Sequence, residues 1–335
     1  MKFDIARQPF VPAFLTLLIV AWVWVSHFDP TLTASAYPFA CPKTDQGLMF
    51  CLPNALLAAF SLTHPVWTKV VSVCLLLFTG ASIGRMTLRY NLYSVGTCLS
   101  IPLMLILALL IGCEGLNLVS ILGMMLFALA IKNYSRSFKN GYTFDANFRA
   151  AMYVGMLVSL MPATILLVLI VPLALFMFHR TVREAVVSLF GLVLFPLVLC
   201  YVNWGMGGAF FAPVLVGAEQ VIESLPLANF VGLSVVQYLG FALVLVLDIV
   251  GVYTFLTNLY SVGTKPRFIL LYTVVVFFVL LVLLFVPSAS SREMVLWAVP
   301  SSILLPAFLI RLPRFFSGMI YCILLVLSLG RLFFG

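Results

Sequence analysis

Charge is what this sequence has least of. Lys, Arg, Asp and Glu make up 8% of its 335 residues, while 64% are hydrophobic, and ordinary soluble domains carry about 25% charge. With a mean hydropathy of +1.21, the chain has too little polar surface for a water-soluble domain, and a bilayer is its expected solvent. Histidine is scarce as well. His27, His64 and His179 are scattered at the ends of apolar runs, and no His or Cys pair has metal-ligand spacing, so neither a metal nor a cofactor is expected. A nucleophile elbow, a phosphate loop, paired carboxylates inside an apolar run and a His-rich helix are all absent, which disfavours an intramembrane enzyme. The cysteines offer one pairing: Cys41 and Cys51 share a polar loop where a disulfide is permitted and would staple that loop.

What is present is a series of apolar runs. Segments at 10–28, 67–87, 98–112, 116–132, 185–203, 233–256, 268–286, 294–310 and 315–330 read as membrane spans. The stretch 148–178 is apolar throughout but interrupted at Pro162 and Pro172, which predicts a tight hairpin of two short spans, or else one long tilted helix. The expected fold is therefore all-α, a polytopic membrane protein of about eleven spans. A cleavable signal peptide is the rival reading of the first run, because Ala34-Ser35-Ala36 resembles a processing site. Two outer pieces, 52–62 and 205–218, are apolar but too short to span; the second precedes Glu219 and Glu223, one helical turn apart.

Positive charge orients the chain. Of the 18 Lys and Arg, all but Lys43, Lys69, Arg292 and Arg331 fall on one side under this layout, and cations favour the cytoplasm. The N-terminus is then cytoplasmic, and the excess of cations over the 10 acids reflects topology, so no nucleic-acid partner is expected. Trp22, Trp24, Trp67, Trp204 and Trp297 fall at expected outer ends, where indoles favour the interface.

One heptapeptide organises the chain. Asn-Leu-Tyr-Ser-Val-Gly-Thr occurs at Asn91 to Thr97 and again, half a chain later, at Asn258 to Thr264, with Gly84 and Thr87 matched by Gly251 and Thr254 upstream. This is the mark of an internal duplication. It predicts two halves, 1–184 and 185–335, with about six and about five spans, entering the membrane in the same direction and related by an axis along its normal. The heptapeptide has two readings. In the first, Gly96 and Gly263 take positive φ to end a helix, with Asn and Ser satisfying freed backbone groups. In the second, Asn91, Tyr93, Ser94 and Thr97, with Asn258, Tyr260, Ser261 and Thr264, form a polar cradle at the inner mouth of a path between the halves. Arg85 and Arg89, one turn apart, would there favour an anionic headgroup. Gly80 and Gly84 have the small-xxx-small spacing of close helix packing.

Asp248 is the one acid well inside an expected span, roughly 10 Å from its cytoplasmic end by helical rise. A carboxylate facing lipid at that depth is costly, so it should face the interior, either in a proton- or cation-coupling role or held by a structural hydrogen bond or a salt bridge to Arg85 or Arg89. Its counterpart in the first half is Ala81.

The stretch 132–201 carries a basic polar segment, then Phe144-Asp145-Ala146 opening a hairpin with Pro162, then His179-Arg180-Thr181-Val182-Arg183-Glu184, then Gly191 and Pro196. In this it resembles a family of multi-pass inner-membrane proteins of Bacteroidetes-type Gram-negative bacteria. The resemblance implies a bacterial inner-membrane location and no particular activity. Two classes of function remain: movement of a lipid-linked or small polar solute between the halves, or a non-catalytic membrane subunit of an envelope-building complex. The expected partners are membrane lipid and other membrane subunits.

Overall fold

A computed structural model describes residues 7–29, 53–112, 116–138, 141–222, 235–283 and 291–334. The expected Cys41 to Cys51 bridge and Glu223 lie outside these residues. Every regular element among the described residues is helical, and eight helices are long and apolar enough to cross a membrane. This fits a polytopic membrane protein.

The order is α1 (Phe10–His27), α2 (Pro53–Thr63), α3 (Pro65–Arg89), α4 (Ser100–Gly112), α5 (Leu118–Ser137) and α6 (Phe144–Leu160). A 3-10 segment (Pro162–Leu169) then leads into α7 (Ile170–Met177), followed by α8 (Val182–Gly205), α9 (Ala212–Ile222) and α10 (Val235–Thr257). After α11 (Thr264–Leu283) come α12 (Ser291–Met294), a 3-10 turn (Val295–Trp297), α13 (Ala298–Leu309) and α14 (Arg314–Phe334). The stretch around Pro162 is the expected hairpin and not one tilted helix. Its two feet are tied together by Arg180 Nη1 donating to the Gly141 carbonyl at 3.0 Å, and by Thr143 N–H donating to Glu184 Oε1 at 2.7 Å. Pro162 lacks the N–H that would continue α6, so the chain turns there and returns partly as a 3-10 helix.

The half boundary drawn at 184/185 falls inside α8. Thr181 and Glu184 form a capping box that starts this helix at Val182, so Glu184 belongs to its first turn. The two sequence halves also share one core instead of forming separate ones. At its centre is α4, whose every residue is buried, packed by α1 and α3 from its own half and by α10, α13 and α14 from the other. The helix after the second heptapeptide, α11, leaves Phe278 and Val282 exposed, so the helices that follow the two heptapeptides occupy different surroundings.

Where helices approach closely, small residues stand at the crossing. A Cβ on Gly80 would lie 2.6 Å from Leu17 Cδ2, and one on Gly84 would run into Ile101, so α3 lies tight against α1 and α4. The tightest crossing pairs α6 with α8: a Cβ on Gly155 would collide with the Leu192 carbonyl, and one on Gly191 would lie 2.5 Å from the Phe148 carbonyl oxygen. Backbone cannot yield as a flexible side chain does. Gly155→Val should therefore destabilise the bundle by about 1–3 kcal/mol or more, read as a lower melting temperature in detergent, and an unchanged melting temperature would refute this close crossing.

Of the five tryptophans, Trp22, Trp67 and Trp204 are exposed, and Trp24 and Trp297 are buried. Trp297 packs edge-on to Phe241 and Phe277, with centroids 5.1 and 5.2 Å away. For these two, core packing outweighs interfacial preference.

Candidate functional site

The first heptapeptide ends α3 by its asparagine, not by its glycine. Asn91 has φ of 47°, Leu92 N–H donates to the Thr87 carbonyl at 3.1 Å, and Asn91 N–H donates to Leu88 at 3.2 Å. This is the left-handed cap that asparagine can supply in place of glycine. Gly96 and Gly263 do not take positive φ, and a Cβ on either would meet only open space or ordinary contact, so the turn places no demand for glycine at those positions. The second copy folds differently from the same letters. Asn258 has φ −115° and leads into a 3-10 turn, Leu259–Ser261. Upstream the copies agree: Thr87 Oγ1 donates to the Gly84 carbonyl and Thr254 Oγ1 to the Gly251 carbonyl, both at 2.9 Å.

Both copies line one pocket. A cavity of about 430 Å³ is bounded by Asn91, Leu92, Tyr93 and Ser94 from the first copy, and by Asn258, Val262 and Gly263 from the second. The chain after α13 completes it with Ile310 and Arg311. Arg311 is anchored by Nη1 donating to the Thr254 carbonyl at 2.8 Å. Tyr93 Oη donates to the Ile303 carbonyl of α13 at 2.8 Å, tying the first copy to the other half of the chain. Burial pushes the Tyr93 phenol up, with Ser100 opposing, so it is a neutral donor at physiological pH.

The other expected members of the cradle are elsewhere. Thr97 is buried and its Oγ1 accepts from Leu99 N–H at 3.3 Å. Tyr260 is 86% exposed and lies against Arg267, whose guanidinium carbon is 5.0 Å from the ring centroid. Thr264 is exposed, and the Ser261 side chain is outside those described. Arg85 and Arg89 are not among the lining residues; Arg311 is the cation that is. In the sequence Arg311 is one cytoplasmic cation among fourteen, two expected spans beyond the second copy, and only the packing of α10 against α13 brings it to the pocket.

Asp248 is fully buried, on the face of α10 toward α13. Ser301 Oγ donates to its Oδ2 at 2.5 Å, and Trp297 adjoins the same carboxylate. Neither Arg85 nor Arg89 pairs with it, correcting the salt-bridge expectation; the acid meets a hydroxyl on α13, within its own half of the chain. The Trp297 indole N–H faces the carboxylate as a second donor but stands outside hydrogen-bond geometry, and Oδ1 meets no other partner. Along α13 and the turn that follows it these contacts succeed one another: Arg311 and Ile310 at the pocket, Ile303 under Tyr93, Ser301 on Asp248. By helical rise this line is about 15 Å long.

Among the described residues no group of His, Cys, Asp and Glu is arranged to hold a metal ion. Comparison with family models, curated proteins and solved structures gives no match to this chain.

Proposed function

We propose that the protein is a duplicated inner-membrane carrier whose two heptapeptides form the cytoplasmic mouth of a path for a lipid-linked or small polar solute. The observation that carries this reading is the single pocket lined by both copies together with Arg311. A repeat kept only to turn the chain would not need its two copies at one cavity, nor the same letters in two different turn conformations. On this reading eleven segments cross the membrane: the eight long helices plus α4, α6 and the returning limb of the hairpin. The two halves enter in the same direction with the N-terminus cytoplasmic, in keeping with the positive charge gathered at one end. The short α2 and α9, each following the first span of its half, support the duplication.

Asn91, Tyr93, Ser94 and Asn258 bind the polar part of the solute, Arg311 complements a negative one, and Asp248 couples movement to a proton or cation. A buried carboxylate with one oxygen unpartnered is the kind of group that exchanges an ion.

A second reading is a non-catalytic subunit of an envelope-building complex. It is favoured by α8, which exposes Leu189, Phe190, Val193, Leu197 and Tyr201 along its length, a face open to lipid or to another membrane subunit.

The test is two-sided access. In a variant with native cysteines replaced, Ser94→Cys is treated with a membrane-impermeant thiol reagent in oriented vesicles of each polarity. A carrier reacts from the cytoplasmic side and, in a fraction of molecules, from the other. Reaction from the cytoplasmic side alone under every ion gradient would favour the subunit reading. A Cys at Asn91 or at Asn258 should likewise label from the cytoplasmic side, and cytoplasmic labelling of only one would refute the parallel repeat.

A further inference from the structure

Arg85 and Arg89, displaced from the pocket, stand in a second cluster. Lys132 and Arg136 on α5 face them across the packed α3 and α5, and Lys132 lies in the field of Arg136, Arg85 and Arg89 together. The Lys132 ammonium donates to Ser82 Oγ at 3.4 Å, and Lys265 at the start of α11 stands over the Tyr90 ring, 5.0 Å from its centroid. The Tyr90 hydroxyl points into this group. Tyr90 is 7% exposed; the Arg136 guanidinium faces its Oη as a donor outside ideal hydrogen-bond geometry, and Arg89 adds its field.

Nothing in the described chain balances these charges. The two acids placed near this end are committed elsewhere: Asp145 to Arg149 at 2.7 Å, and Glu184 to Arg180 at 3.6 Å and to the N–H groups of Thr143 and Thr181. Topology requires cations near the cytoplasmic ends of helices. It does not require them on facing surfaces of two packed helices around a buried hydroxyl. Lys132 lies five residues before the end of α5, about 7 Å below it by helical rise, which is headgroup depth.

We infer that this cluster, formed by Arg85, Arg89, Lys132, Arg136, Lys265 and Tyr90, is a binding site for the phosphoryl group of an anionic membrane lipid. A phosphoryl group supplies several acceptor oxygens and the negative charge the cluster lacks. Three guanidinium forks, two ammonium groups and a phenolic donor match that acceptor set better than they match a single carboxylate. At a bilayer interface, lipid phosphate is the abundant anion. The site does not depend on the transport reading, because none of its cations lines the pocket.

The test is native mass spectrometry of the purified, delipidated full chain titrated with phosphatidylglycerol, phosphatidylcholine or inorganic phosphate. The wild type should bind phosphatidylglycerol about tenfold more tightly than phosphatidylcholine. Arg85→Gln and Arg89→Gln, both at exposed positions, should weaken that binding singly and abolish the preference together. Arg183→Gln, an exposed cation outside the cluster, should leave it unchanged. Equal affinity for the two lipids, an equal loss in Arg183→Gln, or retention of inorganic phosphate without phosphatidylglycerol would overturn the inference.

Discussion

Asp248→Asn should leave the protein folded in the membrane and reduce ion-coupled flux to the level of protein-free vesicles. Asparagine keeps the shape and still accepts from Ser301 Oγ, so the contact between α10 and α13 survives. What it cannot do is gain and lose a charge. The physical case rests on location: the carboxylate is fully buried, has one partnered oxygen and one without a partner, and faces α13, the helix whose other end borders the pocket. The readout is a pH-sensitive dye in proteoliposomes under an imposed potential. Flux above the protein-free background in the wild type and background flux in the Asn variant are expected. An Asn variant as active as the wild type at every pH removes Asp248 from coupling, and one that fails to accumulate makes the residue structural. Ser301→Ala offers an independent check, since it takes away the donor but leaves the acid titratable; reduced flux with a shifted pH dependence is expected.

A large effect on stability is expected at Arg331. This residue, near the end of α14, is 5% exposed, and its Nη1 donates to the carbonyls of Leu109 and Leu110 in the last turn of α4. A helix leaves its final carbonyls without internal partners, and a cation there satisfies them and complements the helix dipole. Because α4 is wholly enclosed, water cannot replace the guanidinium. Arg331→Met, similar in length but without donors, should cost about 2–3 kcal/mol, seen as a melting temperature several degrees lower in detergent. Arg331→Lys should recover only part of that loss, since one ammonium cannot reproduce the planar fork. Full stability in the Met variant would mean that the carbonyls are satisfied by other means.

The membrane character of the chain was legible because an apolar run needs no partner to declare itself. The same holds for the hairpin at Pro162, where a missing N–H acts locally. The start of α8 is also written locally, in the capping pair Thr181 and Glu184, which sets the helix to begin at Val182 and not at Ala185. Contacts between distant segments were not legible. No pattern in the sequence pairs Asp248 with Ser301, because the two meet only once α10 and α13 have packed, whereas Arg85 and Arg89 offer opposite charge at the same expected end of the membrane. Arg331 was counted as an outer charge for a similar reason: the apolar run before it says that a helix ends, not that the end is buried against α4. The repeated letters did identify a shared place, since Asn91, Tyr93, Ser94 and Asn258 meet at one cavity. They did not identify the turn. Asn91 takes the left-handed conformation in one copy and Asn258 does not in the other, so the surroundings of each copy, not its residues alone, select its backbone.

The central claim is that the two heptapeptides, half a chain apart in sequence, bound one cavity. The direct measurement is intramolecular cross-linking of a Ser94→Cys, Asn258→Cys pair in an otherwise cysteine-free full chain, with a short bifunctional maleimide added from the cytoplasmic side. A cross-link between the two segments within one polypeptide, detected after proteolysis between them and lost when either cysteine is omitted, is the expected result. Two cysteines that both react with the reagent but are never joined within one chain would contradict the account.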